Sequence, residues 1–272
     1  MNGTSPLVLV LIPVYGGGEA LRASLASLSL ARLPERLCTL VVDDGSDPPI
    51  AEAPAHHPRL GLHVERLARH AGIEAALNRG LEIGRELGAD YIARLDAGDT
   101  IHPDRLVKQL EILQRDGDVG IVGTDAWFVD EQSRPIFRFE TPRTDGQVRR
   151  RMHLGCCLLH PTVMIRRSAI EQAGTYSPEY PAAEDYDLFF RLIGRTRAAT
   201  VPEPLTTKVL ARDSVSLTKR RTQLRSRLRV QRRHFDPGRW ESYAGVALTL
   251  SLFLIPNRLV IAIKRLAGIS RI

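Results

Sequence analysis

Cysteine is scarce in this 272-residue chain. Cys38, Cys156 and Cys157 form no even set and show no CxxC spacing, which argues against a disulfide framework and a zinc site and fits a reducing compartment. A secretory leader is not expected, because the first apolar run, Leu7 to Val14, lacks a basic segment ahead of it and contains Pro13. Apolar runs long enough to span a bilayer are also missing: Ala244 to Ile255 is uncharged over twelve residues, against the roughly 20 that a transmembrane helix needs. No internal repeat is visible. The glycine run Gly16-Gly17-Gly18 is followed by Glu19-Ala20, so it is neither a P-loop, which needs Gly-Lys-Ser/Thr, nor a GxGxxG dinucleotide fingerprint.

What is present is ordinary in bulk and uneven in distribution. A composition of 43% hydrophobic and 25% charged residues excludes a disordered or fibrous chain. The length suits one catalytic domain with an appended tail, here residues 1–210 and 211–272. Residues 205–272 carry 15 Lys and Arg against 3 Asp and Glu, a balance of +12 in a chain of net charge +7, which leaves the first 204 residues at −5. The basicity belongs to the tail.

Periodicity outlines an α/β domain. An apolar strand (Leu7 to Ile12), the glycine loop, a helical pattern with Leu21, Leu25 and Leu28, and a second strand (Cys38 to Val42) make a βαβ opening. Ala71 to Leu87 is helical, with Ile73, Leu77 and Leu81 on one face, and Tyr91 to Leu95 is the next strand. Pro103 then introduces a helix with Leu106, Leu110 and Leu113, followed by strand Val119 to Gly123. Asp130 to Asp145 reads as loop and hairpin, His160 to Arg166 as a strand, Arg167 to Ala173 as a short helix, and Glu184 to Ile193 as an amphipathic helix. Such alternation implies a mainly parallel sheet covered by helices on both faces.

Acidic residues gather at the strand ends. Asp96-Ala97-Gly98-Asp99 directly follows a strand, where open α/β sheets bind ligands; it is either a seat for a divalent cation and a phosphate or a solvated turn. Asp43-Asp44-Gly45-Ser46 ends another strand, as a nucleotide contact or an Asx-type turn. A parallel sheet brings both to one edge, and like charges there need a cation or hydrogen bonds to stay ionised. Glu184, Asp185 and Asp187 open a helix, where they cap it through the macrodipole or supply a general base. His160 before Pro161 is either structural or a site residue.

Together these segments resemble the family 2 inverting glycosyltransferases of the GT-A fold, a group that builds bacterial surface polysaccharides. The likeness rests on Ile12-Pro13-Val14-Tyr15, Val41-Val42-Asp43-Asp44-Gly45-Ser46, Gly72 to Gly80, Tyr91 to Asp96, His160 to Met164 and Ala183 to Leu188, and covers about residues 5 to 210. The resemblance implies nucleotide binding by Pro13, Tyr15, Asp43, Asp44, Asn78, Arg79 and Asp96. It implies Mg²⁺ or Mn²⁺ held by Asp99 and Asp96, with Gly98 where the common Asp-Ala-Asp-Asp form has its middle Asp. The catalytic base maps onto Asp185 with Glu184 beside it, and His160 and Asp187 become candidates for acceptor positioning. Processive members carry Gln-x-x-Arg-Trp; Gln231-Arg232-Arg233-His234-Phe235 does not match, so addition of one sugar is expected.

The expected partners are a nucleotide-diphosphate sugar donor and a glycan or lipid-linked acceptor. In the tail, Lys219 to Arg233 has eight basic residues and no acid. Ala244 to Ile255 and Leu259 to Ile263, interrupted by Pro256-Asn257-Arg258, read as an interfacial helix pair at the cytoplasmic face of the inner membrane, or as a helix packed on the domain. Nucleic acid is not expected, since few aromatics interleave the charges. A nucleotidyltransferase and a catalytically impaired nucleotide-sugar binder are the competing functions.

Overall fold

The computed structural model describes residues 5–50, 58–210 and 220–254. Lys219, the Pro256-Asn257-Arg258 interruption and the Leu259 to Ile263 segment lie outside the described residues. Strand β1 (Leu7–Val14), helix α1 (Gly18–Ser29), β2 (Arg36–Asp43), β3 (Leu62–Arg66), α2 (Ile73–Glu86) and β4 (Tyr91–Arg94) build the N-terminal half. They are followed by β5 (Thr100–Ile101), α3 (Arg105–Arg115), the hairpin β6 (Val119–Val129) and β7 (Pro135–Phe139), α4 (Asp145–Leu154), β8 (Met164–Arg166) and α5 (Arg167–Ala173). The chain continues with α6 (Glu184–Ile193), β9 (Arg197–Val209), α7 (Arg220–Arg233) and α8 (Trp240–Leu254).

The strands form one nine-stranded sheet in the order β3-β2-β1-β4-β8-β6-β9-β5, with β7 paired to β6. β3, β2, β1 and β4 run parallel, as do β6 and β9, while β8 is antiparallel to both neighbours. β1 is buried on both faces because alternate residues serve two cores. Leu9 and Leu11 meet α2, α5 and α6 on one side; Val8, Val10 and Ile12 meet α1 and α3 on the other. This two-faced burial is why parallel strands read as continuous apolar runs.

Three elements differ from the sequence expectation. His160–Thr162 is a short 3-10 turn, and only Met164–Arg166 is strand, because Pro161 lacks the N–H a ladder needs. β6 runs six residues past Gly123, to Val129. β9, thirteen residues long, was not expected at all. It contains Pro202 and Pro204, which argue against a strand; register shifts where Pro204 faces Asp125 accommodate them.

The described part of the C-terminal extension packs on the α/β domain. Val230 of α7 joins the core beneath α6. In α8, Gly245 lies so close to α4 that a Cβ there would stand 1.9 Å from the His153 carbonyl oxygen. The Ser242 hydroxyl meets His153 Nδ1 at 3.0 Å, and Thr249 donates to Gln231 at 2.8 Å. No helix among the described residues is long and apolar enough to cross a membrane.

Candidate active site

β1, β2 and β4 are parallel and adjacent, so their carboxyl ends place Asp43-Asp44 and Asp96 on one edge of the sheet, with the Tyr15 to Gly17 loop between them. The Asp43 carboxylate accepts from the Ser46 backbone at 2.9 Å and from the Ser46 hydroxyl, and Arg66 lies 3.5 Å away. Asp44 accepts from the Ala71 and Gly72 backbone N–H groups at 2.8 and 2.9 Å and from His70 Nδ1 at 2.8 Å. Both carboxylates are therefore built into the loops they shape. His70 stacks on Tyr15 at 3.9 Å between ring centroids, and Tyr15 remains 60% exposed, presenting an aromatic face beside the acidic pair. Pro13 sits on β1 opposite Val42, one residue before this edge.

The Asp96–Asp99 turn is braced from α1. Ser24 Oγ accepts from the Gly98 N–H at 2.9 Å and donates to the Asp99 carbonyl at 2.7 Å. Gly98 has φ +96°, a conformation side-chain-bearing residues rarely adopt, which accounts for glycine at this position. Beneath the turn, the buried Arg94 guanidinium donates to the Leu11 carbonyl at 2.6 Å, to Asp96 Oδ1 at 2.6 Å and to His160 Nε2 at 3.2 Å. Tyr176 donates its hydroxyl to the same His160 nitrogen at 2.8 Å. Burial, with Arg94 adjacent, holds the His160 imidazole well below its usual range, so the ring is neutral and accepts both bonds. Asn78 anchors Tyr176 through two bonds to its backbone, each 2.9 Å. Arg79, in contrast, is paired with Glu65 and Glu82, both at 2.7 Å, away from the carboxylates of the edge.

Lys208, from the unexpected strand β9, completes the cluster. Its ammonium lies 3.1 Å from Asp96 Oδ2 and 3.0 Å from Asp99 Oδ2. Burial by itself would raise the Asp96 carboxyl, but Lys208 and Arg94 hold it well below the ordinary carboxylate range. Asp99 is pushed up to about 7 by burial and by its neighbour Asp96, despite the same lysine. The lysine itself is held protonated by the two acids.

Glu184 and Asp185 open α6, and the charge of Asp96 bears on both. Glu184 is buried, and its Oε2 has no hydrogen-bond partner among the described residues. Burial and the adjacent Asp185 raise it to about 8, so it is protonated at neutral pH. Asp185 is raised to about 6, chiefly by burial with Asp96 adding to it, and is ionised at neutral pH. A carboxylate tuned upward in this way suits a general base, whose efficiency is greatest with a pKa near the working pH.

One expectation is corrected. Asp187, a candidate at the acceptor, lies two residues beyond Asp185, about 200° round a helix of roughly 3.6 residues per turn. It faces away, pairing with Arg191 at 2.8 Å and with His234 of α7 at 3.5 Å. The divalent cation expected on Asp99 and Asp96 meets a site whose carboxylate oxygens already have partners. Mg²⁺ demands near-octahedral oxygen ligands at about 2.0–2.1 Å, but the oxygens these two residues turn toward each other share the Lys208 ammonium, and Arg94 takes the other Asp96 oxygen. No group of three His, Cys, Asp or Glu among the described residues is arranged to hold a metal ion. The donor set present does not fit a divalent cation.

Arg94, Tyr176 and Lys208 were not anticipated. Arg94 did leave a signal, a charge inside the otherwise apolar run Tyr91 to Leu95. Lys208 left none, because its strand is masked by prolines.

Carboxylates thus gather along the carboxyl edge of a two-sided α/β sheet, some satisfied by the protein and one, Asp185, raised to about 6. The family model for glycosyl transferase family 2 matches residues 9–174, and the chain belongs to that family. An uncharacterised glycosyltransferase of Rickettsia typhi is 26% identical over 203 residues, covering 71% of this chain and 60% of that protein. A probable glucomannan 4-beta-mannosyltransferase of Oryza sativa subsp. japonica is 27% identical over 200 residues, covering 68% of this chain and 35% of that protein. The chain thus spans about 60% or less of the length of these curated relatives. Among solved structures, TarS 1-349 of S. aureus in complex with UDP-GlcNAc superposes with a TM-score of 0.68 at 17% identity, over 89% of this chain and 71% of that one. The mannosyltransferase PcManGT of Pyrobaculum calidifontis in complex with GDP-Man and Mn²⁺ gives 0.65 at 16%, over 97% and 74%. At these identities the likeness establishes the GT-A fold.

Proposed function

We propose that this chain is an inverting glycosyltransferase that moves one hexose from a nucleotide-diphosphate sugar to a hydroxyl of a lipid-linked or polysaccharide acceptor. The observation that carries the reading is Asp185, which opens α6 and is raised to about 6 by burial, with the charge of Asp96 adding to it. In a single in-line displacement Asp185 takes the proton of the acceptor hydroxyl as its oxygen attacks the anomeric carbon, opposite the departing diphosphate. Held geometry of this kind supplies much of the acceleration. Neutral Glu184 beside it keeps a second negative charge away from the base. The Tyr15 face and the Asp43-Asp44 loop supply a slot for base and ribose, and Arg94, through His160 and Tyr176, fixes the floor beneath the sugar. Asn78 acts through Tyr176.

The mannosyltransferase relative and the nucleotide sugars bound by TarS and PcManGT favour this donor class. Incubation with a panel of nucleotide sugars and glycan acceptors, followed by NMR of the product's anomeric configuration, tests it. Inverted configuration with nucleoside diphosphate release is expected; retained configuration or pyrophosphate release overturns it.

The setting we propose is cell-surface polysaccharide synthesis at the cytoplasmic face of the membrane. On α7, Arg221, Arg225, Arg229 and Arg232 share one exposed face. On α8, Trp240, Tyr243, Leu250 and Leu254 are exposed opposite the buried Ser242, Gly245 and Thr249. A basic face beside an exposed apolar stripe suits an anionic bilayer surface, each basic residue contributing about 1 kcal/mol. Replacing Arg221, Arg225 and Arg232 with Gln should lower partition onto phosphatidylserine vesicles about a hundredfold by sedimentation. Unchanged partition would remove the membrane from the proposal.

A further inference from the structure

The two acids of the Asp96–Asp99 turn already have cations of their own. Asp96 Oδ1 is bound by Arg94, and the Oδ2 atoms of Asp96 and Asp99 share Lys208. The two acids thus meet two fixed cations within hydrogen-bond reach, without an added ion. An ammonium carries three N–H donors. Two of those of Lys208 go to the acids, and the third has no protein partner among the described residues. The side chain of Lys208 is 26% exposed and that of Asp96 29%, so solvent reaches the pair at the edge of the sheet.

We propose that Lys208 is the resident cation of this site: its ammonium occupies the seat between Asp96 and Asp99 and meets the donor's diphosphate, so that donor binding and transfer require no divalent metal. The inference rests on the nucleotide-sugar reading above. An ammonium suits the task, since lysine is a strong point-charge partner for phosphate. It stabilises the charge that develops on the leaving diphosphate through a fixed, preorganised donor. The bond between anomeric carbon and diphosphate oxygen breaks with its electron pair left on that oxygen, the acceptor oxygen forms the new bond, and its proton goes to Asp185. Lys208 stays protonated throughout.

The test has two arms on the full chain. In the first, Mn²⁺ alone is titrated and its free fraction read by electron paramagnetic resonance. The wild type should bind none at 1 mM, whereas Lys208→Ala, with the Oδ2 atoms of Asp96 and Asp99 freed of the ammonium, should bind it. Mn²⁺ binding by the wild type that Asp99→Asn removes would overturn the proposal. In the second arm UDP and GDP are titrated calorimetrically in EDTA and in Mn²⁺. Wild-type affinity for the diphosphate it accepts should agree within twofold between the two buffers, and Lys208→Met should bind at least tenfold more weakly in EDTA. Loss of wild-type binding in EDTA, or a Lys208→Met that binds like the wild type, would overturn it without reference to the variant's folding. If neither diphosphate binds in either buffer, the donor role of Lys208 falls together with the nucleotide reading, while the first arm still decides what fills the seat between the acids.

Discussion

The acids of the β2 end and those of the α6 start are treated in opposite ways by the fold. Asp43 and Asp44 are filled with donors, from the Ser46, Ala71 and Gly72 backbone and from His70. Glu184 has an oxygen with no partner among the described residues, and Asp185 is raised to about 6. A carboxylate filled with donors shapes the loops it joins, whereas burial with few donors lifts a carboxyl toward neutral pH. Acidic residues of one site are therefore put to different structural use, and the supply of backbone N–H groups separates them.

Removing the reactive acid should separate the two ends most sharply. Asp185→Asn is expected to lower turnover by about 10²- to 10⁴-fold, the range typical of a general base, while nucleoside diphosphate affinity measured by calorimetry stays within twofold. Turnover retained at the wild-type rate would dissolve the contrast. The second probe is pH. The base must be ionised, so kcat/KM should rise with pH and level off above about 6, the value to which burial lifts Asp185. Below that it should fall about tenfold per unit, read from initial rates between pH 4.5 and 8. The linked effect on stability has the opposite sense. A carboxyl raised by burial disfavours the folded state increasingly as pH climbs from its ordinary value to about 6, so Asp185→Asn should not lower the melting temperature at pH 7.

At the satisfied end, Asp44→Ala should act on stability. It leaves the Ala71 and Gly72 N–H groups without their acceptor, which costs roughly 1–3 kcal/mol where such groups are buried; thermal unfolding checks it, and an unchanged midpoint would deny Asp44 its structural role. Gly98→Ala tests the turn between the two ends. With φ at +96°, the substitution is expected to cost about 1 kcal/mol, seen in urea unfolding, with a modest fall in nucleotide affinity as Asp99 shifts.

The contrast also explains what sequence could convey. β1, β2, β4, α2 and α6 were legible because burial of one or both faces writes a period into apolar residues, and the acids stood out at their ends. Whether an acid is satisfied depends on donors distant in the chain: Asp44 on Ala71, Asp96 on Lys208. No local pattern records such pairings. β9 was lost for a different reason, as Pro202 and Pro204 are tolerated at its irregular register while spoiling the strand signal. The basic tail was visible as charge, but its seat on α4 depends on Gly245 approaching the His153 carbonyl, a fit between surfaces.

Asp185 and Asp187 sit on opposite sides of a single turn of α6, one raised to about 6 and the other 3.5 Å from His234 of α7. That turn is seated in the core, so α7 borders one side of the segment that carries Asp185 on the other. A chain cut before α7 would take His234 from beside Asp187 and leave Arg191 as the cation paired with it.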